Sequence, residues 1–169
     1  GVLVCTMYPN VPGEPENRCD RSQLILSNHD NDVSVRYEIR IPNNLLADAG
    51  TIKGNIEGRR LNFHTRGVTV NGHVRLETTG FATAKTTTGD IHVTMGDPSR
   101  YLGADEGIDF VSVTGSVTVT VPSESSFDFQ LNTVSGQLDV AFPHDMSVTN
   151  QAAQGQAGQG GPLLELSAI

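Results

Sequence analysis

Five glycines stand in one repeating frame: TIKGNIEG around Gly54, TVNGHVRL around Gly72, TTTGDIHV around Gly89, SVTGSVTV around Gly115 and TVSGQLDV around Gly136. The shared pattern is T/S-V/I/T-x-G-x-I/V/L-x-V/L, which the first copy breaks only at its last position, Gly58. Successive glycines are 18, 17, 26 and 21 residues apart, and the long interval contains an insertion, GDPSRYLGADEG, from Gly96 to Gly107. A unit of this length is too short for a strand plus a crossover helix, and the period-2 alternation of β-branched residues within it marks strands. Stacked coils of strand and turn fit, each about 4.8 Å from the next. The expected fold is therefore all-β, a parallel β-helix or β-solenoid. An antiparallel β-sandwich or meander is the alternative, since short strands with regular turns also produce it.

Alignment on the glycine predicts the faces. The inward columns are expected to hold Ile52, Val70, Thr87, Val113 and Val134 before the glycine, then Ile56, Val74, Ile91, Val117 and Leu138 after it. Lys53, Asn71, Thr88, Thr114 and Ser135, with Asn55, His73, Asp90, Ser116 and Gln137, are expected to face solvent. Three residues before each glycine stands a hydroxyl: Thr51, Thr69, Thr86, Ser112 and Thr133. Hydroxyls stacked in this way can bond one another or the bend, where glycine allows a turn or a close approach of backbones.

The chain of 169 residues is read as one domain, with a clasped segment at 1–32, repeat coils at 33–149, a flexible Gln/Gly loop at 150–162 and a last strand at 163–169. DVSVRYEIRIP, ending at Pro42, alternates as a strand and forms an early coil, NNLLADAG is a bridging turn, and QAAQGQAGQGG has no means of burying surface. The composition is 37% hydrophobic, 5% aromatic and 18% charged, with a formal net charge of -8. No apolar run is long enough to span a membrane, and an acidic balance gives no footprint for nucleic-acid phosphates. Every Lys and Arg lies at or before Arg100, whereas Tyr101 to Ile169 holds eight acids and no base. A neutral stretch is thus followed by an acidic one.

Cys5 and Cys19 bracket a segment rich in Pro and Asn that cannot form a helix. A disulfide closing such a loop would stabilise by about 3 kcal/mol through chain entropy and would place the protein in an oxidising compartment. The alternative is a pair of buried thiols; zinc lacks ligands at the required spacing. A chain that opens at Gly1 is read as a processed, excised or partial product, any signal peptide having been lost.

The iterated T-V-x-G-x-I-x-V units, the bracketed CTMYPNVPGEPENRC and the VRYEIRIP segment together resemble the DUF4097 family, adhesin-type β-solenoid domains of bacterial envelope and secreted proteins. The resemblance covers about residues 1–149. It implies a right-handed parallel β-helix at or outside the cell surface, with no established catalytic residues and no cofactor.

Two features depart from that pattern: members of this kind usually have more chain before the Cys segment, and their final strand usually runs on into another Val-x-Gly unit. Ser167-Ala168-Ile169 matches the first half of a repeat unit, and Gly1-Val2-Leu3-Val4-Cys5 can be read as the second half. A solenoid terminus exposes strand edges that must be capped or paired. Head-to-tail stacking into a homo-oligomer or fibre is therefore expected, helped by the acidic half meeting the half that carries every Lys and Arg.

For catalysis, the outward column Glu57, Arg75, His92, Thr118 and Asp139 is the best cluster, but its alternating signs are what pairing between neighbouring strands would select. No nucleophile elbow, P-loop or paired His ligands occur, so no enzyme activity, cofactor or metal is expected. Asp105, Glu106 and Asp109 could gather calcium but lack the Asp/Asn spacing of known loops. The expected function is a structural or adhesive surface protein. The alternative is a binding module for a glycan or protein partner that uses the 97–109 insertion through Arg100, Tyr101, Asp105, Glu106 and Asp109.

Overall fold

A computed structural model describes residues 34–100, 107–134 and 151–169, the strand course of 144–148, and residues 2–7, 9, 10, 12, 13, 16, 18 and 19. The chain divides into two compact units, Gly1–Arg40 and Ile41–Ile169.

In the first unit Cys5 and Cys19 are joined in a disulfide, their Cα atoms 5.7 Å apart. The Thr6 and Tyr37 hydroxyls are hydrogen-bonded. The alternating segment expected as an early coil is not a strand: residues 34–42 have no ladder, and Val35, Tyr37 and Ile39 are exposed. Alternation makes a strand only where a partner supplies the other half of the hydrogen bonds. Among the described residues this segment has none.

The second unit is all-β. Its strands are β1 (Ala47–Lys53), β2 (Ile56–Leu61), β3 (Thr65–Asn71), β4 (Val74–Thr78), β5 (Ala82–Thr88), β6 (Ile91–Thr94), β7 (Ile108–Thr114), β8 (Val117–Thr120), β9 (Phe127–Thr133), β10 (His144–Val148), β11 (Ala152–Ala157) and β12 (Leu163–Ala168). They form an eight-stranded sheet in the order β1-β3-β5-β7-β12-β9-β11-β10 and a four-stranded sheet in the order β2-β4-β6-β8. Each of the first four repeat copies places one strand in each sheet with its glycine between them. Within both sheets these copies pair parallel and in the register of the sequence repeat: Thr51 beside Thr69, Thr86 beside Ser112, and Ile56, Val74, Ile91 and Val117 in one row. NNLLADAG is a turn only in its first half, since Ala47 already belongs to β1.

The C-terminal part is arranged differently. β9, β11 and β10 run antiparallel, so the antiparallel alternative applies to this subset alone. The segment 150–162, expected as a flexible loop, contains β11. Its Gln/Gly/Ala composition conceals a period of two: Ala153, Gly155 and Ala157 lie opposite Leu131, Phe129 and Phe127 of β9, small residues against large ones. β12 inserts parallel between β7 and β9 and is an interior strand of its sheet. Its register places Ala168, not Ser167, beside Ser112 and Thr133, one residue away from the half-repeat expected at the chain end.

The core lies between the two sheets. Val74, Leu76, Ile91 and Val93 from the small sheet meet Ala82, Ala84, Phe110, Phe129 and Leu164 from the large one, all buried. Although aromatic residues are few, Phe110, Phe127 and Phe129 are the largest fully buried side chains, filling the part where the sheet widens around β12.

Candidate functional site

The glycine bend is the most regular feature of the second unit. Gly54, Gly72, Gly89 and Gly115 have φ of 147°, 159°, 141° and 145°, a conformation that excludes an ordinary side chain. They also stack. A Cβ on Gly72 would overlap the carbonyl oxygen of Gly54, one on Gly89 that of Gly72, and one on Gly115 that of Gly89. Gly136 lies outside the described residues.

Side chains fasten the bends from both sides. Thr69 Oγ1 donates to the Gly54 carbonyl at 3.1 Å, Thr86 Oγ1 to that of Gly72 at 3.0 Å and Ser112 Oγ to that of Gly89 at 2.9 Å. After the glycine, the His73 N–H donates to Asn55 Oδ1 at 2.9 Å, the Asp90 N–H to His73 Nδ1 at 2.9 Å and the Ser116 N–H to Asp90 Oδ1 at 2.8 Å. Because His73 Nδ1 accepts, its ring proton sits on Nε2, and the 3.4 Å approach of Asp90 Oδ2 to Nδ1 is not an ion pair.

These bonds decide the orientation that the sequence left ambiguous. Thr69, Thr86 and Ser112 point inward because a part-buried bend carbonyl takes a donor, which a valine cannot supply. Strand alternation then turns the next residue outward. Ile52, Val70, Thr87 and Val113, expected in the core, stand on the outer face of the large sheet, and Val134 with them. The second expected row is inward as read, Val74 and Ile91 fully buried and Ile56 and Val117 partly so; Leu138 lies outside the described residues.

The register continues that outer column through β12: Ile52, Val70, Thr87, Val113, Ile169 and Val134 lie side by side, each one strand from the next. Ile52 is 45% exposed, Ile169 57% and Val134 63%. The neighbouring outward column adds Val68 and Val111. Between these two valines the same column holds Lys85, which is paired with Asp109, and the next column is charged too, with Asp48 paired to Arg66 at 3.7 Å.

Asp109 therefore belongs to β7 and not to a binding loop. Arg100 ends a short 3-10 turn (Pro98–Arg100) and pairs with Asp97 at 3.7 Å. Tyr101, Asp105 and Glu106 lie outside the described residues. On the small sheet Glu57, Arg75, His92 and Thr118 are ladder neighbours, as the pattern requires, and Asp139 lies outside the described residues. Glu57, however, bonds along its own strand to Arg59 at 2.6 Å and raises that guanidinium above its ordinary pKa.

At the end of the rungs away from the glycines the regularity breaks. The β2–β4 register shifts between Gly58 and Leu61, and within this bulge Arg60 has a φ of 54°, the only positive φ outside glycine among the described residues. The irregularity coincides with the one repeat position at which the first copy departs from the pattern, a signal present in the sequence. An open cleft of about 610 Å³ lies here, between the bulge, the ends of β4 and β6, the 3-10 turn and the turn at Pro122–Glu124. Among the described residues no three His, Cys, Asp or Glu side chains gather as a metal site, and no helix is long and apolar enough to cross a membrane.

No known protein family, no curated protein and no solved structure matches this chain.

Proposed function

We propose that the protein is a non-enzymatic, structural or adhesin-like β-solenoid of the DUF4097 type, acting outside the cell or in the envelope by associating through its repetitive outer face. The observation that carries this reading is the outward column of β-branched side chains, Ile52, Val70, Thr87 and Val113 in register across the four strands β1, β3, β5 and β7, with Ile169 and Val134 following just past the ends of β12 and β9. An ordered apolar surface of this kind serves association, because isolated apolar residues would not need a common register. The polar side chains that could do chemistry near the bends, Asn55, His73 and Asp90, are engaged in joining one rung to the next. The Cys5–Cys19 disulfide supports an oxidising compartment.

Association through the half-repeats at the chain ends is not part of this reading. β12 is an interior strand, and its register is one residue away from the expected motif. Among the described residues the edge strands of the sheets, β1 and β10 in one and β2 and β8 in the other, are the places where pairing could extend an assembly. Sedimentation and negative-stain imaging at rising concentration test the proposal. The wild type is expected to self-associate, and the double variant Val70→Lys/Val113→Lys to remain folded and monomeric. Monodisperse wild-type monomers at every concentration would sink it.

A further inference from the structure

We propose that the cleft at the bulged end of the rungs is a binding site for a neutral oligosaccharide. Its lining includes Arg60, Glu77, Met95, Asp97, Arg100 and Glu124, from four separate segments of the second unit. The volume of about 610 Å³ is that of a small-molecule site.

Three observations converge here. Among the described residues the first four copies are uniform at the glycine end and irregular at this end, where the bulge, the 3-10 turn and the turn at Pro122–Glu124 border one cleft. Variable segments on a rigid repetitive scaffold are where binding residues are placed. Arg60 sits in the left-handed region with a φ of 54°, a conformation that glycine would hold without strain. Among the described residues its guanidinium has no ion-pair partner, whereas Arg59 beside it is paired with Glu57. The strained residue is thus the one aimed at the cleft and not consumed by the fold.

The ligand class follows from the charges. Of the charged groups at the cleft, Arg100 and Asp97 pair with each other, which leaves Arg60 beside Glu77 and Glu124, so an anion would face carboxylates and a cation would face a guanidinium. Vicinal hydroxyls satisfy both, since each donates to a carboxylate while accepting from an arginine. Leu61 and Pro122 supply apolar surface for the C–H face of a sugar ring.

The test is an array of mannose-, galactose-, glucose- and N-acetylhexosamine-terminated oligosaccharides, with sialylated and uronate-containing counterparts. The best neutral binder is then titrated against wild type, Arg60→Gly, Glu124→Gln and, as a control on the small sheet's outer face, Glu57→Gln. The expected result is binding of a neutral glycan, weakened at least tenfold by Arg60→Gly and by Glu124→Gln and unchanged by Glu57→Gln. Arg60→Gly should at the same time keep or raise the thermal midpoint, which separates lost recognition from lost folding. Binding of acidic glycans alone, binding of none, or wild-type affinity in both cleft variants would overturn the assignment.

Discussion

A glycine at the bend answers to two demands at once, and they can be separated by substitution. Gly89 has a φ of 141°, and a Cβ there would overlap the Gly72 carbonyl, which as backbone cannot move aside. Gly107 has open space around its would-be Cβ. Gly89→Ala should therefore destabilise by about 3 kcal/mol or more, while Gly107→Ala should stay within about 0.5 kcal/mol of wild type, as read by urea unfolding. The hydroxyl column offers a second comparison. Thr86 Oγ1 donates to the Gly72 carbonyl, so Thr86→Val should cost about 1 kcal/mol or more by leaving a part-buried acceptor unmet. Thr133 is also buried, yet among the described residues its Oγ1 has no hydrogen-bond partner. Thr133→Val should be neutral or stabilising. Equal losses at the two positions would show that the carbonyl bond is not what holds the column inward.

At the scale of elements, the parallel pairing of the first four copies was legible because the glycine frame carries the register with it. The direction of the strand before the glycine was not. Hydropathy assigns Val70 and Val113 to the core, whereas the inward positions go to Thr69 and Ser112, whose hydroxyls bond the bend carbonyls. β12 was legible as a strand but not in its place, since insertion between β7 and β9 is a non-local pairing that no local pattern records. The cleft was foreshadowed only by Gly58, where the repeat fails. β11 escaped because small residues in alternation with Gln look like low complexity, although they pack against Phe127, Phe129 and Leu131. This last difference has a direct test. Gln154 is an exposed position in the middle of β11, with β9 on one side and β10 on the other. Proline there removes a ladder donor and should cost on the order of 2 kcal/mol, whereas Gln154→Thr should be close to neutral. A loop would accept both, so an unchanged thermal midpoint for Gln154→Pro would argue against the strand.

At the scale of the whole molecule, two forces could drive association, and they respond to salt in opposite ways. Every Lys and Arg precedes residue 101, so the strands β1 to β6 hold all the cations of the two sheets, and the strands from β7 onward hold only acids. Attraction between unlike ends would follow from that polarity and would fade as the Debye length falls to about 3 Å at 1 M salt. The sheet itself already uses part of the polarity, because Lys85 of β5 pairs with Asp109 of β7 across the boundary between the two stretches. The outward column at Ile52, Val70, Val113, Ile169 and Val134 is apolar, and burial of such surface is strengthened by excluded salts such as sulfate. Light scattering of the wild type in sodium chloride and in sodium sulfate should therefore show association that persists in 1 M chloride and increases in sulfate, with Val70→Lys/Val113→Lys monomeric in both. Dissociation of the wild type at 1 M chloride would instead assign the contact to the charged ends, leaving the apolar column as a surface without that role.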